Sequence, residues 1–138
     1  MKISRTASVV VCDDILFGLT GKAFLNGVYV SDITIHGNAL AIPQLVFYFT
    51  VETPKEKPFK KLTLKVVPFG TAPTQLDIPL ESVPQSTNPA RPKIIVRAPV
   101  LVQQIMLRPG KIETTVITES EELDAGGIWV TPIAPALP

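Results

Sequence analysis

The sequence predicts an all-β fold: an antiparallel β-sandwich of about eight strands, with a small β-barrel as the alternative. Apolar residues recur at every second position, as in the series Leu45, Phe47, Phe49 and Val51. This period places one row of side chains in a core and the other row in water. Turn signals recur at intervals of about 8–12 residues, as they do in sandwich proteins. The 14 prolines favour turns and strand edges and disfavour helices.

The first part of the chain predicts five strands, at residues 7–12, 22–35, 44–52, 60–68 and 74–80. Consecutive valines at the centre of the first strand favour extended backbone. The second strand loses its alternation at Asn26-Gly27, where a glycine inside a strand indicates a bulge or a close backbone approach. Asp13 and Asp14 follow the first strand and are candidate caps for a single helical turn.

The last part of the chain predicts one long apolar strand and a final strand pair. Residues 93–107, after a proline-rich loop at 84–92, form either one central strand or two strands that meet at Pro99. Proline cannot donate to a strand ladder, so Pro99 marks an edge or a bend. Pro109-Gly110 predicts a turn, and the strands 112–118 and 128–133 follow it. Acidic residues from Glu119 and the pair Gly126-Gly127 are predicted to connect these two strands.

The length and the cysteine content indicate one domain in a reducing compartment. A chain of 138 residues buries enough apolar surface to fold as a single domain, residues 1–138, with an extended, frayed proline-rich tail from about 132. Cys12 is the single cysteine, so no intrachain disulfide forms. The apolar run after the N-terminal basic residues stops at Asp13, too early for a signal peptide. No segment approaches the length of a membrane span, and a cytoplasmic protein is predicted.

The composition favours a protein partner and disfavours nucleic acid. Hydrophobic residues make up 46% and charged residues 18% of the chain, against about 25% charged residues in an average domain. Either self-association or a partner covers the excess apolar surface, or a sandwich with both sheet faces buried absorbs it. The net charge of +1 lacks the basic excess that binds phosphates, so nucleic-acid binding is not predicted.

Three short motifs resemble an uncharacterised family of small bacterial β-sandwich proteins, a domain of unknown function. They are the strand that ends in Cys12-Asp13, the pair Gly21-Lys22, and the series Gly27-Val28-Tyr29. The turn at Pro109-Gly110 is similar to the family's Pro-Gly hairpin entry, although Ile112 stands where an aromatic residue is more usual. The resemblance implies a sandwich fold in a bacterial cytoplasm, and it implies no activity and no catalytic residues.

Cys12 and the nearby aspartates are the most conspicuous polar residues. Cys12 would be a nucleophile if the fold brought His36 to it as a base, but a free cysteine without a basic neighbour is more typical of a core. One cysteine and one histidine are too few for a zinc site. Asp13, Asp14 and Asp32 would form a calcium site only if the fold brought their carboxylates together.

The remaining motifs have ordinary structural explanations beside the functional ones. Gly18-Leu19-Thr20-Gly21-Lys22 has two residues between its glycines and no hydroxyl after the lysine, so it predicts a β-turn and not a phosphate loop. Glu121 and Glu122 are predicted to face water, where they are poor acid–base catalysts. Trp129, Phe69 and Tyr48 are candidate exposed aromatics for sugar or peptide contact, or else core anchors. Two oppositely charged patches would pair between subunits or simply be solvated; they comprise Lys55, Lys57, Lys60 and Lys61, and Glu119, Glu121, Glu122 and Asp124.

These observations predict a non-catalytic protein that serves protein–protein interaction or assembly, as a homo-oligomer or with another protein. The alternative is a small-molecule or carbohydrate binding module that uses a concave face near Trp129. A third hypothesis is an enzyme that uses Cys12 or a carboxylate-bound metal. No residue is assigned to catalysis, cofactor binding or metal binding, no cofactor is predicted, and neither a membrane nor a particular small molecule is predicted as a partner.

Overall fold

In the computed structural model, which describes residues 4–82 and 90–133, the chain forms ten strands and two 3₁₀ segments. The all-β prediction is therefore confirmed. The strands are β1 (Thr6–Cys12), β2 (Asp14–Phe17), β3 (Ala23–Asn26), β4 (Ile33–His36), β5 (Leu40–Pro54), β6 (Leu62–Val67), β7 (Thr74–Asp77), β8 (Lys93–Leu107), β9 (Gly110–Thr118) and β10 (Glu122–Ile133). The 3₁₀ segments are Leu19–Gly21 and Leu80–Ser82.

The strands form two facing sheets and a separate hairpin. One sheet has the order β1-β5-β8, the other the order β4-β10-β9-β6-β7, and β2 and β3 pair only with each other. Every pairing among the described residues is antiparallel except that of β10 with β4, which is parallel. The antiparallel sandwich is thus confirmed, with more strands than predicted and one parallel pair at its edge.

The core lies between the two larger sheets. Leu45, Phe47, Phe49 and Val51 of β5 are at most 1% exposed, as their alternation predicted, and they pack in one cluster with residues of β6, β9 and β10. Each fully buried side chain of this kind stabilises the fold by about 1.5–3 kcal/mol relative to an exposed one. Alternate residues of the same strands point away from the core, and these outward rows carry the surface described below.

The predicted strand at 22–35 is wrong as a single element, because it is interrupted after Asn26. Gly27 has φ +69, and a Cβ on it would overlap the carboxylate of Asp13, with the carboxyl carbon only 2.8 Å away. The chain therefore leaves the hairpin at this glycine and resumes as β4 at Ile33. The suggested helical turn after Asp13 is also wrong, since β2 begins at Asp14.

Pro99 lies inside β8, opposite Tyr48 of β5. Residues 93–107 form one strand, which was one of the two predicted alternatives. This strand lies at the edge of its sheet, however, and not at the predicted central position. An edge strand has one side without a neighbouring ladder, which is where a residue without an N–H is tolerated. Most of the predicted loop at 84–92 falls outside the described residues.

Gly126-Gly127 lies within β10 and does not form the predicted connection. The register of β10 against β9 shifts between Asp124 and Gly126, which marks a bulge. A Cβ on Gly127 would overlap the carbonyl oxygen of Ile112 on β9, so this pairing requires glycine. β10 continues to Ile133, and Pro132 pairs with Ile35; the rest of the predicted tail, residues 134–138, lies outside the described residues.

Candidate functional site

Arg5 is the centre of a buried polar cluster at the start of β1. Its side chain is fully buried, and its Nε donates to the hydroxyl of Thr53 at 2.9 Å. Its Nη1 donates to Glu119 Oε2 at 2.5 Å and to the hydroxyl of Ser120 at 3.4 Å. One guanidinium thus joins the end of β5 to the turn between β9 and β10.

The other side of the same guanidinium fixes the loop after β5. Arg5 Nη2 donates to the carbonyl oxygens of Lys57 and Pro58, at 3.2 and 3.3 Å. The guanidinium carbon lies 4.7 Å from the ring centroid of the buried Phe59, which adds a cation–π contact. All the N–H donors of an arginine are therefore engaged, and we conclude that this arginine is structural. We call Arg5, Thr53, Phe59 and Glu119 the Arg5 cluster.

Glu119 is held in its ionised form by this cluster. Burial alone would raise its pKa, but hydrogen bonds from Arg5 and from the Lys60 amide, together with the Arg5 charge, lower the pKa to about 2. The loops that carry the two predicted charged patches are thereby brought together within one chain. Nothing in the sequence around Arg5 marks this role, because its side-chain partners are 48 to 115 residues away.

Cys12 and His36 are not brought together. Cys12, the last residue of β1, is fully buried and pairs with Val46 of β5. Its neighbour Val11 belongs to the core, so the two side chains point to opposite faces of the sheet. His36 is exposed and follows the core residue Ile35 of β4. Its side chain therefore projects into solvent from the outer face of the sheet that contains β4. Burial raises the pKa of the Cys12 thiol, a backbone hydrogen bond with Asp14 lowers it, and the charges of Asp13 and Asp14 raise it further, so the net shift is upward. The neutral thiol is a poor nucleophile.

Asp13 organises the chain around Gly27. Its Oδ1 accepts from the hydroxyl of Tyr29 at 3.0 Å, and its amide donates to the carbonyl of Asn26 at 3.0 Å. Burial, followed by this hydrogen bond and the charge of Asp13, raises the pKa of Tyr29. The spacing of Asp13, Gly27 and Tyr29 is therefore explained by packing.

The candidate calcium ligands do not form a cation site. Asp14 Oδ1 accepts from Gln44 Nε2 at 3.4 Å, while Asp32 lines a cleft farther along the chain. Within residues 4–82 and 90–133, no group of three acidic, histidine or cysteine side chains is arranged to hold a metal ion.

The hairpin of β2 and β3 carries the most concentrated exposed apolar surface. Leu16 and Phe24 lie directly opposite each other and are 56% and 53% exposed, and Phe17 and Leu19 are 62% and 91% exposed. The turn between the strands contains the predicted Gly18–Gly21 series, and Gly18 donates to the Lys22 carbonyl at 2.7 Å. We call Leu16, Phe17, Leu19 and Phe24 the hairpin patch. The alternation of β2 and β3 was obscured in the sequence, because both faces of this hairpin are apolar.

Trp129 separates two clefts on the surface of the sandwich. It lies between the buried residues Ile128 and Val130 and so faces outward, 53% exposed. One cleft, of about 410 Å³, lies between Trp129 and Phe69, which is 57% exposed; we call it the Trp129 cleft. The other, of about 380 Å³, lies between β1 and β10 and includes Val10 and Val30. Two of the three candidate aromatics are thus exposed, whereas Tyr48 is half-buried.

The Trp129 cleft also has a charged wall. Lys111 Nζ lies 3.9 Å from Glu113 Oε2, and both residues are on the outer row of β9. Lys111 pairs directly with Trp129 across the two strands. The cleft therefore combines two aromatic faces with one hydrogen-bond donor group and one acceptor group.

No protein-family model and no curated protein matches this chain. Among the residues that the structure describes, no helix is long and apolar enough to cross a membrane.

Proposed function

We propose that this protein is a non-catalytic assembly protein of the cytoplasm that associates with a second copy of itself through the hairpin patch. The observation that carries the proposal is the exposure of all four large apolar side chains of this patch within one short hairpin. An exposed apolar cluster on a folded domain is typical of an interaction site.

A second copy is the partner that the chemistry favours. Residues 15–25 contain one charged side chain, Lys22, so the patch is mainly apolar area with little charge to select a partner of opposite sign. The net charge of +1 causes little repulsion between copies. A two-fold axis through the hairpin would set the same apolar patch of each copy against the other, which is self-complementary by symmetry.

The hairpin also has a free strand edge. β2 and β3 pair only with each other among the described strands, and β2 also lies near β5, so the outer side of β3 is the edge available for pairing. Strand addition at such an edge would join the hydrogen bonds of two hairpins in one sheet. Phe24, opposite Leu16 on one face of the hairpin, and Phe17 on the other face are aromatic, the residue type enriched in the core of interfaces.

The absence of catalysis in this proposal rests on how the polar groups are used. The donors of Arg5 are all engaged by partners in the protein, and Cys12 and His36 face apart. The resemblance to small bacterial sandwich proteins, carried by Cys12-Asp13 and Gly27-Val28-Tyr29, agrees with a role that needs no active site. We extend the proposal to a bacterial origin on that resemblance.

The test is the mass of the untagged protein in solution, by native mass spectrometry and sedimentation velocity, over a range of concentrations. We expect twice the 14.9 kDa chain mass for the wild type and the single-chain mass for the double variant Phe17→Ser, Leu19→Ser. Val30→Ser is the matched control, because Val30 is 95% exposed but lies outside the hairpin, and it should assemble like the wild type.

Three outcomes would overturn the proposal. The first is a single-chain mass for the wild type at the highest concentration that stays soluble. The second is a double variant that still assembles. The third is a single-chain protein that co-sediments with phosphatidylcholine vesicles in a manner lost in the double variant, since this would assign the hairpin patch to a lipid surface.

A further inference from the structure

We propose that the Trp129 cleft binds a neutral sugar. The inference does not rest on self-association, because the cleft belongs to β9, β10 and the segment after β6, and shares no residue with the hairpin patch. The protein would thus bind a sugar through one set of residues and assemble through another.

The two aromatic side chains supply the apolar part of the site. Trp129 and Phe69 come from β10 and from the segment after β6, and both line the cleft while remaining more than half exposed. Exposed aromatic rings are costly to leave in water and offer broad, rigid faces. The C–H face of a pyranose ring is flat and apolar, and it matches such a face in size.

The ring of Phe69 is positioned by a glycine. A Cβ on Gly110 would come 2.8 Å from Phe69 Cγ and 3.0 Å from Cδ2, so the ring lies directly on the backbone of the residue that opens β9. Gly110 has φ +142, a conformation that other residues rarely adopt. The aromatic wall is therefore packed in place before any ligand arrives, which lowers the entropic cost of binding.

The charged wall selects a neutral ligand with hydroxyl groups. Lys111 donates and Glu113 accepts, and their charges cancel at a separation of 3.9 Å. The pair has no net charge, so it favours neither an anion nor a cation, whereas a hydroxyl group both donates and accepts and so satisfies either side chain. The Cε of Lys111 lies 3.4 Å from the position of a Cβ added to Gly127, so the stem of Lys111 packs against the backbone of β10.

The size of the cleft agrees with this class of ligand. A volume of about 410 Å³ lies in the range of small-molecule sites, about 300–1,000 Å³. Val67 and Pro68 complete the apolar floor. A single sugar or a short oligosaccharide would cover both rings and reach the Lys111–Glu113 pair.

The experiment uses the full chain on a glycan array that carries neutral, uronic-acid and sulfated glycans, followed by titration with the best free oligosaccharide. Because Trp129 is the single tryptophan, its fluorescence reports directly on this cleft. We expect saturable binding of a neutral glycan with a change in Trp129 emission. Phe69→Ala and Trp129→Ala should each weaken binding, measured by calorimetry, by about tenfold.

Control variants separate this inference from the proposed assembly. Leu101→Ala removes an exposed apolar side chain of β8, and the double variant Phe17→Ser, Leu19→Ser removes the hairpin patch; both should bind the glycan like the wild type. Three results would overturn the inference: no glycan on the array binds, only acidic glycans bind, or both aromatic variants bind with wild-type affinity. Each of these results leaves the mass measurements on the hairpin variant unaffected.

Discussion

The burial of side chains is opposite at the two ends of β1. At the start of the strand, the charged Arg5 is fully buried and every donor has a partner. After its end at Cys12, the chain enters a hairpin whose large apolar side chains are exposed. A charged side chain is thus buried at the first end, and large apolar side chains are exposed beyond the second end.

This difference separates stability from binding. A buried charge is tolerated only when its hydrogen bonds are complete. The Arg5 cluster therefore fixes the loop after β5 and the turn between β9 and β10, and no donor of Arg5 is left for a ligand. Exposed apolar groups contribute little to the fold of the isolated chain, and they gain free energy when a partner or ligand covers them. Variants at the first end should therefore change unfolding, and variants at the second end should change association.

The largest effect is expected from removing the buried charge. Arg5→Met removes the guanidinium that donates to Glu119 and to the Lys57 and Pro58 carbonyls, and we expect a loss of about 3–5 kcal/mol in the free energy of unfolding, measured in urea by Trp129 fluorescence. Lys93→Met is the matched control, because Lys93 forms an exposed ion pair with Glu52 at 3.8 Å that is worth at most about 1 kcal/mol. Equal losses in the two variants would contradict the structural role of the Arg5 cluster.

A smaller, pH-dependent effect is expected at Glu119. Its folded pKa of about 2 lies below the ordinary value of 4.5, so ionised Glu119 stabilises the fold fully above about pH 4.5, and that stabilisation is lost as the pH falls towards about 2. Glu119→Gln lacks this contribution and should cost about 1.5–3 kcal/mol at neutral pH.

The difference in unfolding free energy between the wild type and Glu119→Gln is the quantity to follow across this pH range. It should shrink as the pH falls, because protonated Glu119 resembles glutamine in charge. Since both proteins share all other carboxyl groups, the difference isolates this one. A difference that stays constant from pH 7 to the acid limit would show that Glu119 is not held ionised by Arg5.

The smallest expected effect is a difference in the free energy of unfolding between alanine variants of two glycines near the hairpin. Gly27 and Gly21 both have positive φ, +69 and +81, but an added Cβ would overlap Asp13 at Gly27 and meets nothing within 4 Å at Gly21. Each alanine substitution carries a backbone cost of about 1–3 kcal/mol. Gly27→Ala should cost about 1 kcal/mol more than Gly21→Ala, in the same urea measurement. Equal costs would mean that Asp13 does not depend on this glycine.

The parts of the fold that local pattern determines were predictable. The alternation of β5 identified its buried row, and Pro109-Gly110 identified the turn before β9. The break at Gly27 was predicted as a bulge or a close backbone approach, but the group that comes close, Asp13, is distant in sequence and was not identified. The bulge at Gly126 was read as a connection, since two glycines in a strand are locally indistinguishable from a turn.

The surface was predictable only in part. Trp129 was a candidate exposed aromatic residue, because it lies in a predicted strand and a strand has two faces. The sequence alone could not decide whether its side chain is on the inner or the outer face. Arg5 was considered only as one of the basic residues near the N-terminus, because its partners, within residues 53–59 and 119–120, are distant in sequence. The hairpin patch was missed, since apolar residues on both faces of β2 and β3 look like an ordinary buried strand.

The most direct measurement is the dependence of the urea midpoint on protein concentration, for the wild type, Glu119→Gln, and the double variant Phe17→Ser, Leu19→Ser. Self-association through the hairpin patch predicts a midpoint that rises with concentration in the wild type. The same rise should appear from a lower starting value in Glu119→Gln, and it should be absent in the double variant. A wild-type midpoint that does not change with concentration, or a double variant that keeps the full rise, would contradict the separation of stability and binding between the two ends of β1.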